Sequence, residues 1–198
     1  FLDMHPILPV FDNWKSKLLS NGNNMDIFSH ALWGFWIIRW RREAKWAALF
    51  GILPDILTCL PLFVYLSLTH PWLHYRKPPL DFTPEYFLLI YNILHSFVTW
   101  GIVFVAVWWL RGRQTFYPLY AWLLHICMDI PTHSGYYYPT KFLYPLTNFY
   151  INGISWGRWE ILLPDVTALM AVYGWYFYQK SNQTNSLKVN HHRSRAIR

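Results

Sequence analysis

The sequence has few charged residues. Asp, Glu, Lys and Arg make up 14% of its 198 residues, about half the share found in an average soluble domain. Hydrophobic residues make up 54%. The apolar stretches are too long and too numerous for so few charges to keep the chain in water. This excludes an ordinary soluble domain built around an aromatic core.

Cysteine is equally scarce. The two cysteines, Cys59 and Cys127, both lie inside apolar stretches. Two such residues do not form a disulfide framework, so we interpret them as small buried hydrophobic side chains. They therefore indicate little about the compartment in which the protein works.

Aromatic residues, by contrast, are abundant. They reach 21% of the chain, with 13 Trp and 14 Tyr, as expected where amphipathic rings settle at the headgroup level of a membrane. The net charge is +7, and the basic residues cluster at the ends of apolar runs. That placement indicates contact with anionic lipid headgroups, so we expect membrane lipids as partners and no nucleic acid. These basic residues are Arg39, Arg41, Arg42, Lys45, Arg76, Lys77, Arg111 and Arg113.

The order of apolar stretches predicts an all-α fold, a polytopic membrane helix bundle with about five membrane helices. A full crossing needs roughly 17–25 residues, so the second, third and fifth stretches are long enough and the first and fourth are short. The five stretches cover residues 27–40, 46–68, 86–110, 117–130 and 160–178.

Three parts of the chain can be distinguished. Residues 1–24 form a polar N-terminal segment, residues 25–180 a membrane-embedded domain, and residues 181–198 a basic tail that we expect to be disordered. Lys and Arg are more frequent in the loops after the first and third stretches and in the tail. The positive-inside rule then predicts a multi-pass protein with a cytoplasmic C-terminus.

Five ionisable side chains lie within the apolar stretches, where each costs ~2.5–3.5 kcal/mol on insertion scales. Three imidazoles and two carboxylates are a ligand set that suits zinc, manganese or iron. The five residues are His30, Asp55, His95, His125 and Asp129.

The spacing of these residues favours a common site. His125 and Asp129 are four residues apart, which places them on one face of a helix. His133 lies four residues further on, after the interruption at Pro131. Asp55 follows Pro54, a residue suited to the first turn of a restarted helix.

Other functions remain open at this point. Buried His and Asp side chains also serve as hydrogen-bond partners between membrane helices. A transporter or a structural membrane protein could use the same network, and histidines on separate helices could hold haem or a di-iron centre in a redox protein.

The polar residues occur in short phrases that resemble the membrane-bound metal-dependent hydrolase family. Its members are also described as LexA-binding, inner-membrane-associated putative hydrolases. The resemblance covers about residues 25–145 and depends on the order of the phrases. They are Ser29-His30 with Gly34, Gly51-Ile-Leu-Pro-Asp55, His95-Ser96, and His125-x-x-x-Asp129 with Thr132 and Gly135.

That family is in turn distantly similar to the zinc-dependent phospholipases C and the single-strand-specific zinc nucleases. The resemblance implies that His95, His125 and Asp129 bind one metal, that Asp55 orients or bridges to a second, and that His30 and His133 complete the coordination. It implies one or two divalent ions, zinc above manganese or iron. The expected activity is hydrolysis of a phosphoester in a lipid or lipid-linked substrate, with Asp55 as the catalytic carboxylate.

Overall fold

The computed structural model describes the backbone of residues 23–70, 83–135 and 138–196. These residues form helices and connecting loops, with no strand among them. The all-α class is therefore confirmed for the described part of the chain. We number the helices α1 (Asn23–Ile37), α2 (Ala44–Thr69), α3 (Glu85–Leu94), α4 (Phe97–Leu110), α5 (Leu119–Thr132) and α6 (Trp159–Ala196).

The chain divides into two compact units. In the first, which extends to Leu162, α2 packs against both α1 and α5, and α1 also contacts α5. The second unit begins at Leu163 within α6. The helical backbone of α6 continues through residues 181–196, the segment assigned above to a basic tail. The predicted N-terminal segment lies outside the described residues, apart from Asn23 and Asn24.

Small residues bring α1 and α2 together. A Cβ atom on Gly51 would lie 2.5 Å from the carbonyl oxygen of His30, and one on Gly34 would lie 2.7 Å from that of Ala47. The two backbones are therefore too close for any side chain at these positions. Such close approach through small residues is the usual means by which membrane helices associate.

The third apolar stretch is broken. Helices α3 and α4 meet at an angle of 58°, and His95 and Ser96 form the break between them. The Ser96 hydroxyl caps α4 by accepting a hydrogen bond from the Val98 amide at 3.1 Å, and it also donates to the Tyr144 carbonyl. The amide of Phe97 donates to the Phe142 carbonyl at 2.8 Å. A distant loop thus stabilises the break.

The number of membrane helices is smaller than predicted. Among the described residues, Ala44–Thr69 and Trp159–Asn182 are each long and apolar enough to cross a membrane, and the bent α3–α4 pair raises the number to three at most. The apolar part of α1, Ile27–Ile37, is too short. Helix α5 has 14 residues, which at 1.5 Å per residue spans about 21 Å of a ~30 Å hydrocarbon layer. The expectation of about five spans is corrected accordingly.

Helix α5 forms the centre of the first unit. Leu119, Trp122 and Ile126 are buried and pack against apolar side chains of α4. The indole of Trp122 donates to the Leu94 carbonyl and that of Trp100 to the Leu119 carbonyl, both at 2.8 Å. These bonds attach the broken span to α5, and α5 carries two of the polar residues singled out from the sequence.

The prediction that the two cysteines are buried was wrong. Cys59 on α2 and Cys127 on α5 form no disulfide with each other, and both are exposed. Large apolar side chains of α2 are exposed as well, including Leu60, Phe63 and Leu68. Helix faces of this kind are suited to lipid, so an apolar stretch does not by itself indicate burial within the protein.

Replacing Gly51 with Ala tests the close packing of α1 on α2. The added Cβ would collide with the backbone of His30, so the free energy of unfolding should fall by about 1–3 kcal/mol. The Gly101→Ala variant is a matched control, because a Cβ there meets nothing within 4 Å. Thermal unfolding of both variants in detergent, followed by circular dichroism, measures the difference. Equal midpoints would contradict the packing described here.

Candidate metal centre

Four elements of the first unit bring their polar residues to one place. His30 lies on α1, Asp55 on α2, His95 at the α3–α4 break, and His125 and Asp129 on α5. All five residues are buried, with relative exposures between 0% and 8%. Asp55, His95, His125 and Asp129 each offer a ligand atom, and these four atoms lie within 4.8 Å of one another. This group could hold a metal ion.

Asp129 lies at the centre of the group. Its Oδ2 atom is 3.2 Å from His125 Nε2 and 3.4 Å from His95 Nε2. Asp55 Oδ1 completes the group, 3.5 Å from His95 Nε2 and 3.8 Å from His125 Nε2. The two histidines therefore face both carboxylates, and they are closer to that of Asp129.

The outer nitrogens of both imidazoles bind backbone carbonyls. His125 Nδ1 lies 2.8 Å from the Gly51 carbonyl oxygen, and His95 Nδ1 lies 2.9 Å from that of Tyr91. A carbonyl oxygen only accepts, so these bonds assign the proton to Nδ1 and leave the Nε2 lone pair of a neutral ring facing the carboxylates. The same arrangement orients histidine ligands in known metal sites.

The facing atoms are close without bonding to one another. Among the described residues, His95 Nε2, His125 Nε2 and both Asp129 carboxylate oxygens are buried and have no hydrogen-bond partner. Three of these acceptor atoms, His95 Nε2, His125 Nε2 and Asp129 Oδ2, face one point, and they repel each other unless something positive lies between them. A cation satisfies this requirement, and so would protonation of the imidazoles.

The separations fit a metal ion. A tetrahedral zinc ion with bonds of about 2.0–2.1 Å holds neighbouring ligand atoms about 3.3–3.4 Å apart. The two Asp129–imidazole distances of 3.2 and 3.4 Å agree with this value, and the Asp55 distances of 3.5 and 3.8 Å are longer. The donor set of two nitrogens and two oxygens is also one that zinc accepts in proteins.

The second oxygen of Asp129 faces the other two predicted ligands. Its Oδ1 atom lies 3.1 Å from His30 Nε2 and 3.6 Å from His133 Nδ1. His133 is also placed by a 3.2 Å contact between its Nδ1 and the Asp129 carbonyl oxygen. All six predicted site residues therefore lie around one carboxylate, but the compact four-atom group excludes His30 and His133.

The cluster is not equally enclosed on all sides. The side chains of His30, His95, His125 and Asp129 have 0% exposure, whereas that of Asp55 has 11% and that of His133 has 20%. Asp55 and His133 are therefore the members of the cluster that lie nearest to solvent. Of the two, Asp55 also belongs to the compact four-atom group.

The sequence argument gave no role to three residues next to the cluster, although Gly51 belongs to one of the quoted phrases. Gly51 and Tyr91 supply the carbonyls that orient the histidines, and the Tyr91 ring stacks on His95 with centroids 4.0 Å apart. Trp156 packs its ring edge to face against His30, at a centroid distance of 5.7 Å. Tyr91 lies one helical turn before His95, a spacing that could have suggested it; no spacing indicates Trp156.

Metal content distinguishes the four-residue group from the wider set of six. After incubation with zinc and desalting, the wild-type protein should retain about one equivalent of metal. The His125→Ala variant should lose it, because one of two nitrogen ligands and its bond to Gly51 disappear. The His133→Ala variant should keep it. Elemental analysis of the three proteins gives the answer, and loss of the ion from His133→Ala would show that the site is larger.

Comparison with known proteins does not assign the chain to a family. No protein-family model, no curated protein and no solved structure matches it. The resemblance to membrane-bound metal-dependent hydrolases consequently depends on the short sequence phrases quoted above and remains a prediction. The buried His/Asp group does not depend on that resemblance, since it follows from the positions of the residues.

Proposed function

We propose that the protein is an integral membrane hydrolase that uses a divalent metal, most simply zinc, to cleave a phosphoester of a lipid or lipid-linked substrate. One observation carries the proposal: His95 Nε2, His125 Nε2 and Asp129 Oδ2 lie close together, buried and without hydrogen bonds, and the two imidazole–carboxylate separations suit a tetrahedral ion. A purely structural network would instead be expected to pair donors with acceptors.

Three residues would hold the ion. His95 and His125 offer neutral nitrogens held in place by backbone carbonyls, and Asp129 offers a fully buried negative charge. When bound, a divalent metal makes hydroxide available from water near pH 7 and stabilises charge that develops on a phosphoryl oxygen. Three protein ligands and one open position are typical of catalytic rather than structural zinc sites.

Asp55 is the candidate catalytic residue. Its carboxylate is further from the imidazoles than that of Asp129 and is the more exposed of the two. From this position it can accept a proton from an attacking water molecule at the mouth of the cluster and direct the water toward phosphorus. It lies on α2 between the buried residues Pro54 and Thr58, and its Oδ1 atom faces both imidazoles.

A lipid-like substrate is favoured by the loop that follows α5. Residues 142–157 contain no Asp, Glu, Lys or Arg, and several of their apolar side chains are exposed. Leu146 is 78% exposed, Phe149 57% and Ile151 47%. The backbone of this loop is bonded to the end of α5 next to the cluster, where the Gly153 amide donates to the His133 carbonyl at 2.9 Å. An apolar surface beside a phosphoryl-binding site suits a substrate with acyl chains.

The membrane setting agrees with this proposal. Two or three helices are long and apolar enough to span a membrane, as a multi-pass protein requires. The placement in an inner (plasma) membrane is what the family resemblance implies, and the cytoplasmic C-terminus comes from the distribution of Lys and Arg alone. Of the basic residues used in that argument, Arg76 and Lys77 lie outside the described residues.

The alternative functions lead to different observations. A transporter or channel would lose proton or metal flux in liposomes with Asp55→Asn while showing no hydrolysis. A haem protein would show a Soret band in its absorbance spectrum. Haem is disfavoured by the geometry, because His95 and His125 point to the same carboxylate oxygen and their ring centroids are only 5.0 Å apart.

Substituting the two carboxylates separately tests the proposed roles. Asp55→Asn should keep the metal but lower kcat on a phosphoester lipid by about 100-fold or more, as expected for loss of a general base. Asp129→Asn should lose both the metal and the activity. Glu85→Gln removes an exposed carboxylate at the start of α3 and should change neither. An Asp55→Asn protein with full activity would contradict the role given to Asp55.

The class of substrate can be tested with the same preparation. In mixed micelles the metal-loaded protein should hydrolyse phosphoester lipids faster than water-soluble aryl phosphoesters, since only the lipids can use the apolar loop. A chelator should abolish the reaction and added zinc should restore it. Hydrolysis that persists without metal would remove the basis of the proposed mechanism.

A further inference from the structure

Trp156 has an unsatisfied hydrogen-bond donor inside the protein. The residue is 7% exposed, and among the described residues nothing accepts a hydrogen bond from its Nε1 atom. Two other tryptophans of the same unit differ, since Trp100 and Trp122 donate to backbone carbonyls at 2.8 Å. Buried indole N–H groups normally find a partner, so the free donor of Trp156 requires an explanation.

The position of Trp156 next to the His/Asp cluster explains its unsatisfied donor. Its ring contacts His30 edge to face, with an interplanar angle of 79°. The His30 ring in turn lies 4.0 Å from that of His125, centroid to centroid, and His30 Nε2 lies 3.1 Å from Asp129 Oδ1. One imidazole therefore separates the indole from the group of candidate metal ligands.

The backbone around Trp156 is held firmly against α5. The Gly153 amide donates to the His133 carbonyl at 2.9 Å, and the Ile154 amide donates to the Pro131 carbonyl at 2.8 Å. Gly153 fits only because it has no side chain: a Cβ there would collide with the carbonyl of Pro131. The indole is thus carried by a segment bonded to the helix that also carries Asp129.

An indole N–H donates only and carries no charge, so it needs an acceptor from a ligand. A buried donor without a partner costs about 1–3 kcal/mol, and a bound anionic oxygen would remove that cost with a charge-assisted bond. In the loop that carries Trp156, Lys and Arg occur only at Lys141 and Arg158, and Arg158 is paired with Glu160. Beside His30, the indole of Trp156 is a neutral donor that this loop can offer to a substrate oxygen.

We propose that the Trp156 indole N–H donates a hydrogen bond to an oxygen of the phosphoryl group held at the His/Asp cluster, which makes Trp156 a substrate-binding residue. This inference rests on the proposed hydrolase function and adds to it a residue that binds substrate without binding metal. The phosphoryl group belongs to a lipid headgroup or to a free phosphate, and the two sources can be separated by experiment.

The test compares Trp156→Phe with Trp109→Phe, a matched control in which the replaced tryptophan is 67% exposed. Both variants are loaded with zinc, analysed for metal, and titrated with inorganic phosphate by calorimetry. Trp156→Phe should retain the wild-type metal content and bind phosphate about ten-fold more weakly, as expected for the loss of one charge-assisted hydrogen bond. Trp109→Phe should match the wild type in both measurements.

An NMR measurement on the wild-type chain provides a second readout. The indole ¹⁵N–¹H resonance of Trp156, identified by its absence from the Trp156→Phe or Trp156→Tyr spectrum, should move downfield when phosphate is added to the zinc-loaded protein. Dioctanoyl phosphatidic acid serves as a second ligand. Tighter binding of this lipid than of phosphate would assign the site to a lipid headgroup, and equal binding would assign it to a free phosphate.

The possible failures are distinct. If phosphate binds equally to the wild type and to Trp156→Phe and the resonance does not move, the role of Trp156 is refuted while the metal centre stands. Failure of the zinc-loaded protein to bind phosphate or phosphatidic acid at all would also refute it. If the wild-type protein takes up no zinc, the proposed hydrolase function falls together with this inference.

Discussion

The structure of the first unit depends on one electrostatic constraint. His95, His125 and Asp129 direct acceptor atoms at a common point in a buried setting, and such an arrangement is unstable in a low-dielectric interior without a compensating positive charge. A single cation at that point would be bound by ligands from the α3–α4 break and from α5, and its charge would also attract the Asp55 carboxylate on α2. The ion would then hold together helices that are individually short or broken, in addition to any part it takes in chemistry.

The packing of the helices is arranged around this constraint. Gly51 contributes to this packing in two ways. Its missing side chain lets α2 approach the backbone of His30, and its carbonyl accepts a hydrogen bond from His125 Nδ1. The break at His95 and Ser96 has a comparable effect: it ends α3 where the imidazole can turn toward α5, and Ser96 restarts the helix as α4. Irregular backbone at membrane depth is tolerated where it is enclosed by protein, and here the loop at Phe142 and Tyr144 supplies that enclosure.

The loop after α5 connects the buried cluster to the apolar surface of the protein. It is bonded to the end of α5 through Gly153, it places Trp156 against His30, and it exposes Leu146 and Phe149. Polar recognition on its inner side and apolar contact on its outer side are the properties needed to bind a molecule with a charged head and a hydrocarbon tail. This combination is the reason for proposing a lipid or lipid-linked phosphoester as the substrate.

Composition and hydropathy alone determined that the chain is helical, apolar enough for a membrane, and provided with acids and histidines where these are costly, because helix formation and transfer from water depend on short stretches of sequence. The number of spans could not be obtained in this way, since the break at His95 and Ser96 is stabilised by a loop some 45 residues further along. Only the tertiary structure decided that the two histidines share Asp129, that Gly51 orients one of them, and that Trp156 lies beside the cluster. These contacts join residues of separate helices and loops. They depend on how the backbones cross and pack, which cannot be predicted from a local sequence pattern.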